Sequence, residues 1–261
     1  MSITRKRMYF DIETSPNIGI FWRSGYNMTV TPDSIIQERA IICVCWKWEG
    51  EDEIHSLRWD KNHSDKKLLK KFIKELEKSS EAIAHNGDRF DLKWLRTRAL
   101  FHGVNMNHTY DTIDTLKLAK SGFYFNSNKL DYIAKFLGVG AKMSTGGLDL
   151  WKKVCLENCE ESLNHMVEYC KMDVQVLEAV HQKLNPYTKG KVNYAVLKGG
   201  EKFECLECGK LGQYKQMRTT LHGTIKHVMQ CSDRKHCRKT WTINNKTYQE
   251  YLKFKARLNN K

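Results

Sequence analysis

The sequence predicts an α/β chain: a mixed sheet flanked by helices, with a small, basic, cysteine-bearing C-terminal segment. Three observations carry this. Strand-like apolar runs come first, and strands then alternate with helices, which indicates a mixed sheet with helices on its faces. Beyond residue 187 the charge balance and the cysteine spacing change together. The 261 residues suit one sizeable domain and a small one, and 41% hydrophobic with 28% charged residues is a folded rather than a disordered balance.

Residues 8–12 read as a first strand interrupted by Asp11. Residues 17–34, with Pro16, Gly19, Gly25 and Pro32 in or beside them, read as a loop with local structure. Residues 40–48 are β-branched and aromatic, the strongest strand signal, and Glu53–Leu57 after Gly50 reads as a hairpin partner, giving three antiparallel strands. Leu68, Leu69, Phe72, Ile73 and Leu76 recur at helical spacing within 66–78. A short apolar segment at 82–84 precedes a turn at His85-Asn86-Gly87, and 90–101 is helical. Asp111-Thr112 reads as a cap for a segment ending near Lys120. Helices follow at 129–137 and 162–184, with a glycine-rich loop over 138–147 between them. Pro186, Gly190 and Gly199-Gly200 mark a boundary, so the expected division is 1–187, a linker at 188–200, and 201–261.

The formal net charge is +14. From Thr188 to Lys261 there are 17 Lys+Arg against 5 Asp+Glu, so almost all of the excess lies in that segment. A solvated lysine-rich surface would account for this, as would the footprint of a polyanion such as nucleic acid. No apolar run is long enough to span a bilayer, and the start MSITRKRMYFD lacks the apolar stretch of a secretory signal. The expectation is an intracellular protein, cytoplasmic or nucleoid-associated; a phage or mobile-element protein acting in a host cell fits as well.

Asp11 and Glu13 are two apart, so in a strand both carboxylates face one side. Thr14-Ser15-Pro16 ends the strand, putting the pair at a rim. Two carboxylates that close need a positive partner, and a hard divalent cation such as Mg²⁺ or Mn²⁺ supplies one; an exposed acidic turn is the plain alternative. Asp91 opens a helix after the 85–89 turn. Tyr169 and Asp173 are four apart and share a helix face with Met166, Cys170, Val174 and Leu177 on or near it.

Three motifs stand in order: Phe10-Asp11-Ile12-Glu13-Thr14, then Ala84-His85-Asn86-Gly87-Asp88-Arg89-Phe90-Asp91, then Tyr169-Cys170-Lys171-Met172-Asp173-Val174. Between them lie Asp111-Thr112-Ile113-Asp114-Thr115-Leu116 and Lys129-Leu130-Asp131-Tyr132-Ile133-Ala134. Over residues 6–184 the chain resembles the proofreading-type exonuclease superfamily of ribonuclease H-like fold. The branch most alike has a tyrosine in its third motif, as in the exonuclease domains of family B DNA polymerases. The resemblance implies a ribonuclease H-like mixed sheet and a two-metal 3′–5′ exonuclease. It implies that Asp11, Glu13 and Asp173 hold a first ion, that Asp11 bridges to a second placed with help from Asp91, and that Tyr169 orients the attacking water. Single-stranded DNA, or DNA 3′ ends, would be the substrate, in repair, recombination or genome processing. An exoribonuclease, a structure-specific endonuclease and a non-catalytic nucleic-acid binder stay open. Asn86 reads as a terminal-nucleotide contact or a turn residue, and His85 as a packing or turn residue. Asp114 reads as a site-shaping group or a helix cap. Phe123 of the Phe123-Tyr124-Phe125 run, with Trp22 and Tyr26, reads as a base-stacking or a core aromatic.

In the C-terminal segment Cys205 and Cys208 form a C-x2-C knuckle followed by Gly209, and Cys231 and Cys237 form a second pair with five residues between them. Together they resemble a zinc ribbon, which implies one structural Zn²⁺ held by four thiolates. The wide second spacing leaves His236 as an alternative ligand to a cysteine. The segments 212–217 and 224–229 read as short strands. Arg218 and Arg238, among other cations, and Trp241 read as a surface that grips phosphates and stacks a base.

Overall fold

The structure, a computed structural model, describes residues 5–23, 25, 30–140, 147–188 and 192–259. Tyr26, Gly190 and much of the 138–147 glycine-rich stretch lie outside the described residues. The chain forms two compact units, one of Lys6–His181 and one of Gln182–Lys261 together with Arg5.

The larger unit runs β1 (Arg7–Thr14), β2 (Ile18–Gly19), β3 (Ile35–Gln37), β4 (Ile41–Trp48), β5 (Ile54–Arg58), α1 (Lys66–Leu76), β6 (Glu81–Ala84) and α2 (Asp91–Phe101). It continues with β7 (Asp111–Asp114), α3 (Thr115–Gly122), α4 (Leu130–Leu137), α5 (Leu148–Cys155) and α6 (Glu160–Leu184), whose last residues enter the second unit. Its sheet has the order β5-β4-β1-β6-β7. The first three strands are antiparallel as expected, whereas β6 and β7 run parallel to β1. The 17–34 segment contributes β2, which pairs with β3.

The alternation in β1 sorts its side chains between two helical layers. Met8, Phe10 and Ile12 join Leu68, Phe72 and Leu76 of α1 and Leu92 and Leu95 of α2 in the core. The opposite face meets α6: the Tyr9 hydroxyl lies 3.0 Å from His181 Nδ1, the Cys170 thiol reaches the Asp11 carbonyl at 3.4 Å, and Lys47 pairs with Glu178. At the edge of the first layer, buried Asp65 accepts from the Ile41 N–H at 2.9 Å, from Arg98 at 2.7 and 2.9 Å, and lies 2.6 Å from His102 Nε2. Burial pushes the Asp65 carboxyl up, but Arg98, the Ile41 N–H and His102 outweigh it and hold the group below its ordinary value.

One local expectation changes. The segment at 111–114 is a strand, and the cap of α3 is Asp114, whose side chain accepts from the Leu116 and Lys117 N–H groups at 2.9 and 3.3 Å. Parallel pairing with β6 draws Asp111 and Thr112 into the sheet. Within 188–200 lies the short helix α7 (Tyr194–Leu197), whose Tyr194 and Ala195 are buried.

The second unit holds a three-stranded sheet, β10-β9-β8, made of β8 (Gly212–Thr219), β9 (Ile225–Cys231) and β10 (Thr240–Asn244), followed by α8 (Asn245–Asn259). β8 and β9 match the short strands expected at 212–217 and 224–229, whereas β10 and α8 have no counterpart in the sequence pattern. Phe203, Met229, Trp241, Ile243 and Tyr251 form a small core beside the cysteines. No helix among the described residues is long and apolar enough to cross a membrane.

Candidate active site and metal centres

β1 is the strand at which the sheet changes direction, antiparallel to β4 and parallel to β6. Its register with β6 ends at Tyr9↔Ile83, so Asp11 and Glu13 project beyond the carboxyl end of β6. Ligand sites of α/β sheets form at such switch points because no neighbouring strand covers the crevice. Both acids lie on the face that meets α6. Asp173, buried on that helix, completes a group of three carboxylates, each with an oxygen within 4.8 Å of those of the other two. Tyr169, half-buried, stands one helical turn before Asp173.

This donor set fits a hard divalent cation. Three carboxylates this close repel unless a positive charge lies among them, and Mg²⁺ or Mn²⁺ accepts carboxylate oxygens. Asp91 sits apart from the trio. It opens α2, on the other face of the sheet, and its side chain is 1% exposed, with Oδ1 lacking a hydrogen-bond partner among the described residues. Burial raises its pKa to about 7. Backbone hydrogen bonds from Asp91 itself and from Ile12 pull the other way, and the charge of Asp114 adds to the rise. Asp91 is thus hydrogen-bonded to the backbone of Ile12, the residue between the two β1 acids.

The turn after β6 is shaped by close packing. A Cβ on Gly87 would come 2.5 Å from the Ala84 Cβ, so no larger residue fits there. Asn86 is left-handed, at φ 65°, with its N–H donated to Asp114 Oδ1 at 3.0 Å. Asp114 thus both caps α3 and holds the turn. His85 is fixed at both ring nitrogens, 2.9 Å from Thr115 Oγ1 and 3.0 Å from the Asn128 carbonyl, as a packing or turn residue is.

A cleft of about 590 Å³ opens beside the acids, lined by Asp11, Asp173, His85 and Asn86 and also by Lys120, Asn128 and Lys129. The sequence reading assigned no role to those last three. Their only signal is position at the end of α3 and the start of α4: Lys129 opens the 129–134 segment that the resemblance marks, and Lys120 and Asn128 lie just outside the marked segments. Phe123 is half-buried and stacks on Phe125, with ring centroids 5.4 Å apart, while Tyr124 is fully exposed; Trp22 is exposed as well.

In the second unit the sulfurs of Cys205, Cys208, Cys231 and Cys237 lie within 4.8 Å of one another. Cys205 Sγ to Cys237 Sγ is 3.5 Å and Cys208 Sγ to Cys231 Sγ is 3.4 Å. These distances are far too long for disulfides and near the edge of about 3.8 Å of a thiolate tetrahedron around Zn²⁺. In the first knuckle the Gly209 N–H donates to the Cys205 carbonyl at 2.8 Å, with the glycine at φ 75°. In the second the extra residues fold into a turn closed by Asp233. Its carboxylate accepts the His236 N–H at 3.0 Å, and its own N–H donates to Cys231 Sγ at 3.4 Å. His236 is exposed with its ring turned to Asp233 at 3.2 Å, while it is the Cys237 sulfur that lies with the other three.

Arg218 and Arg238 are exposed, but Trp241 is not. On β10 it alternates with Thr240 and Thr242, points inward at 8% exposure, and donates Nε1–H to the Lys202 carbonyl at 3.3 Å. The expected stacking platform is a core residue, because the third strand turns that position towards α8 and the knuckles.

Among known sequences and structures, a profile of the RNase H superfamily matches residues 36–185, more than half of the chain. A DNA polymerase of Methanocaldococcus jannaschii is 33% identical over 64 residues, 24% of this chain and 4% of that protein. The family B DNA polymerase of the hyperthermophilic archaeon Pyrobaculum calidifontis aligns with a TM-score of 0.54 at 15% identity, over 75% of this chain and 26% of that one. The chain spans a small part of both polymerases. At such identity the structural likeness bears on the fold, and it agrees with the ribonuclease H-like sheet expected from the motifs.

Proposed function

Because the chain belongs to the RNase H superfamily, we propose that it is a metal-dependent nuclease, and specifically a 3′–5′ exonuclease acting on single-stranded DNA ends. The observation that carries this reading is the trio of Asp11, Glu13 and Asp173 at a cleft that Lys120 and Lys129 also line. Two Mg²⁺ or Mn²⁺ ions, when bound, supply Lewis acidity on the nucleophile and leaving-group sides of a phosphodiester. Asp11 and Glu13 from β1 and Asp173 from α6 hold them, and Asp91 contributes its carboxylate in the ionised form. The Tyr169 phenol positions the attacking water. Lys120 and Lys129 draw the phosphate chain into the cleft, and Asn86 contacts the terminal nucleotide. The four cysteines hold one structural Zn²⁺. Repair, recombination or genome processing inside a cell is the setting this activity suits.

The test uses 5′-labelled single-stranded DNA and RNA with Mn²⁺. Stepwise shortening of DNA from its 3′ end is expected, with Asp11→Ala and Asp173→Ala inactive yet melting at or above the wild-type temperature without Mg²⁺ or Mn²⁺. Internal fragments would instead make the chain an endonuclease, and wild-type rates in either variant would remove the site assignment.

A further inference from the structure

In the second unit a cleft of about 530 Å³ is lined by Gln182, Lys183, Pro186 and Tyr187 on one wall and Lys235, His236 and Arg238 on the other. The first wall is the end of α6 and a single 3-10 turn, Asn185–Tyr187; the second is the turn of the C-x5-C knuckle. Three of the seven lining side chains are cationic and none is acidic. Among the described residues no carboxylate is ion-paired with Lys183, Lys235 or Arg238. The nearby acid, Asp233, is engaged by Lys210 at 2.6 Å and by His236.

The walls are held before any ligand arrives. Lys239 is 1% exposed and donates from Nζ to the Asn185 carbonyl at 2.8 Å, while its own carbonyl accepts the Cys231 N–H at 2.8 Å. Asn185 Nδ2 donates to Glu207 at 2.9 Å. One buried lysine thus ties the 3-10 turn to the cysteine cluster. Arg238, at φ 53°, donates Nε–H to the Arg234 carbonyl at 2.8 Å, which orients its guanidinium. Tyr187 is 77% exposed at the rim.

We propose that this cleft binds a single strand of nucleic acid, with phosphates held by Lys183, Lys235 and Arg238 and one base stacked on Tyr187. Cations without carboxylate partners around a preformed cleft match a polyanion. An exposed tyrosine beside them adds a face on which any base can stack, the combination that sequence-independent single-strand sites use. The site rests on the nucleic-acid reading above, but it is separate in its residues from the acidic cleft. Its role also falls to a tyrosine that the sequence reading passed over, in place of Trp241.

The test is fluorescence anisotropy of the full zinc-loaded chain, without Mg²⁺ or Mn²⁺ so that nothing is cut. The probes are a labelled thymidine oligomer of roughly 20 nucleotides, a site or two by the usual span, and an abasic strand of equal length. Lys235→Ala with Arg238→Ala should weaken both about tenfold near 0.1 M salt and lower the salt slope by roughly 1.4, about 0.7 for each single-strand phosphate contact. Tyr187→Leu should weaken the thymidine strand by about 5- to 100-fold and leave the abasic strand within about twofold, since stacking needs a base. Zinc content and melting equal to wild type establish that the variants fold. Wild-type affinity in both variants would overturn the site. Equal loss of both strands in Tyr187→Leu would overturn the stacking. Loss of binding to polyglutamate with the thymidine strand unaffected would assign the cleft to an acidic protein instead. Because no cleavage is read, a chain that binds this way and cuts nothing loses only the nuclease assignment, and one that cuts with binding unchanged by the variants loses only this cleft.

Discussion

Replacing Asp91 by asparagine separates the cost of a buried acid from its use. The carboxyl is 1% exposed and its pKa is raised to about 7, first by burial, against about 3.9 in an unfolded chain. Between those values the folded chain keeps a proton that the unfolded chain has released. Unfolding therefore releases a proton, and stability falls as pH rises through this window. At about 1.4 kcal/mol per pH unit the full swing is at most about 4 kcal/mol, complete above pH 7. Asp91→Asn has no proton to lose. Urea denaturation from pH 4 to 8, without Mg²⁺ or Mn²⁺ and with the cysteine-bound zinc retained, should show the variant gaining on wild type as pH rises. Saturating Mn²⁺ should reverse the trend for wild type alone, because the ion binds the ionised form and makes proton release part of binding. Parallel pH profiles for the two proteins, with and without Mn²⁺, would refute both the buried-acid account and the part given to Asp91 in holding metal.

Three other expectations follow from the same geometry. Tyr169→Phe should slow hydrolysis by roughly 10- to 1000-fold, the range of a positioned catalytic group, with divalent affinity in calorimetry unchanged; lost metal binding would contradict a water-positioning role. Cys205→Ser should lose the zinc by elemental analysis and loosen amide exchange over β8–β10, since metal binding and folding are coupled in so small a unit, while the Lys6–His181 unit keeps its own melting transition; full zinc content would remove the four-thiolate site. Asp65→Asn should destabilise the larger unit by roughly 3–5 kcal/mol, the cost of leaving a buried partner, here Arg98, uncompensated. Wild-type stability from the depressed Asp65 pKa is present above the unfolded value near 4 and lost as pH falls below it, so the difference between the two proteins should shrink in acid.

What the sequence determined by itself is what short-range periodicity and spacing encode. A spacing of two from Asp11 to Glu13 puts both on one strand face, a spacing of four from Tyr169 to Asp173 puts both on one helix face, and β-branched residues at 40–48 make a central strand. The cysteine pairs were legible for the same reason, since a tight knuckle needs its two ligands and its glycine close in the chain. Interactions between distant segments decided the rest. Parallel pairing with β6 made 111–114 a strand and moved the cap of α3 to Asp114. Packing on opposite faces of β1 brought α6, with Asp173, to Asp11 and Glu13 and set α2, which Asp91 opens, against the other layer. The end of β6 short of Asp11 opened the cleft that Lys120, Asn128 and Lys129 line. A third strand turned Trp241 inward, and a buried lysine 54 residues along the chain from Asn185 fixed the turn that carries Tyr187. None of these leaves a local pattern, because each depends on which element comes to lie beside another, and a hydrophobic period records only that a face is covered.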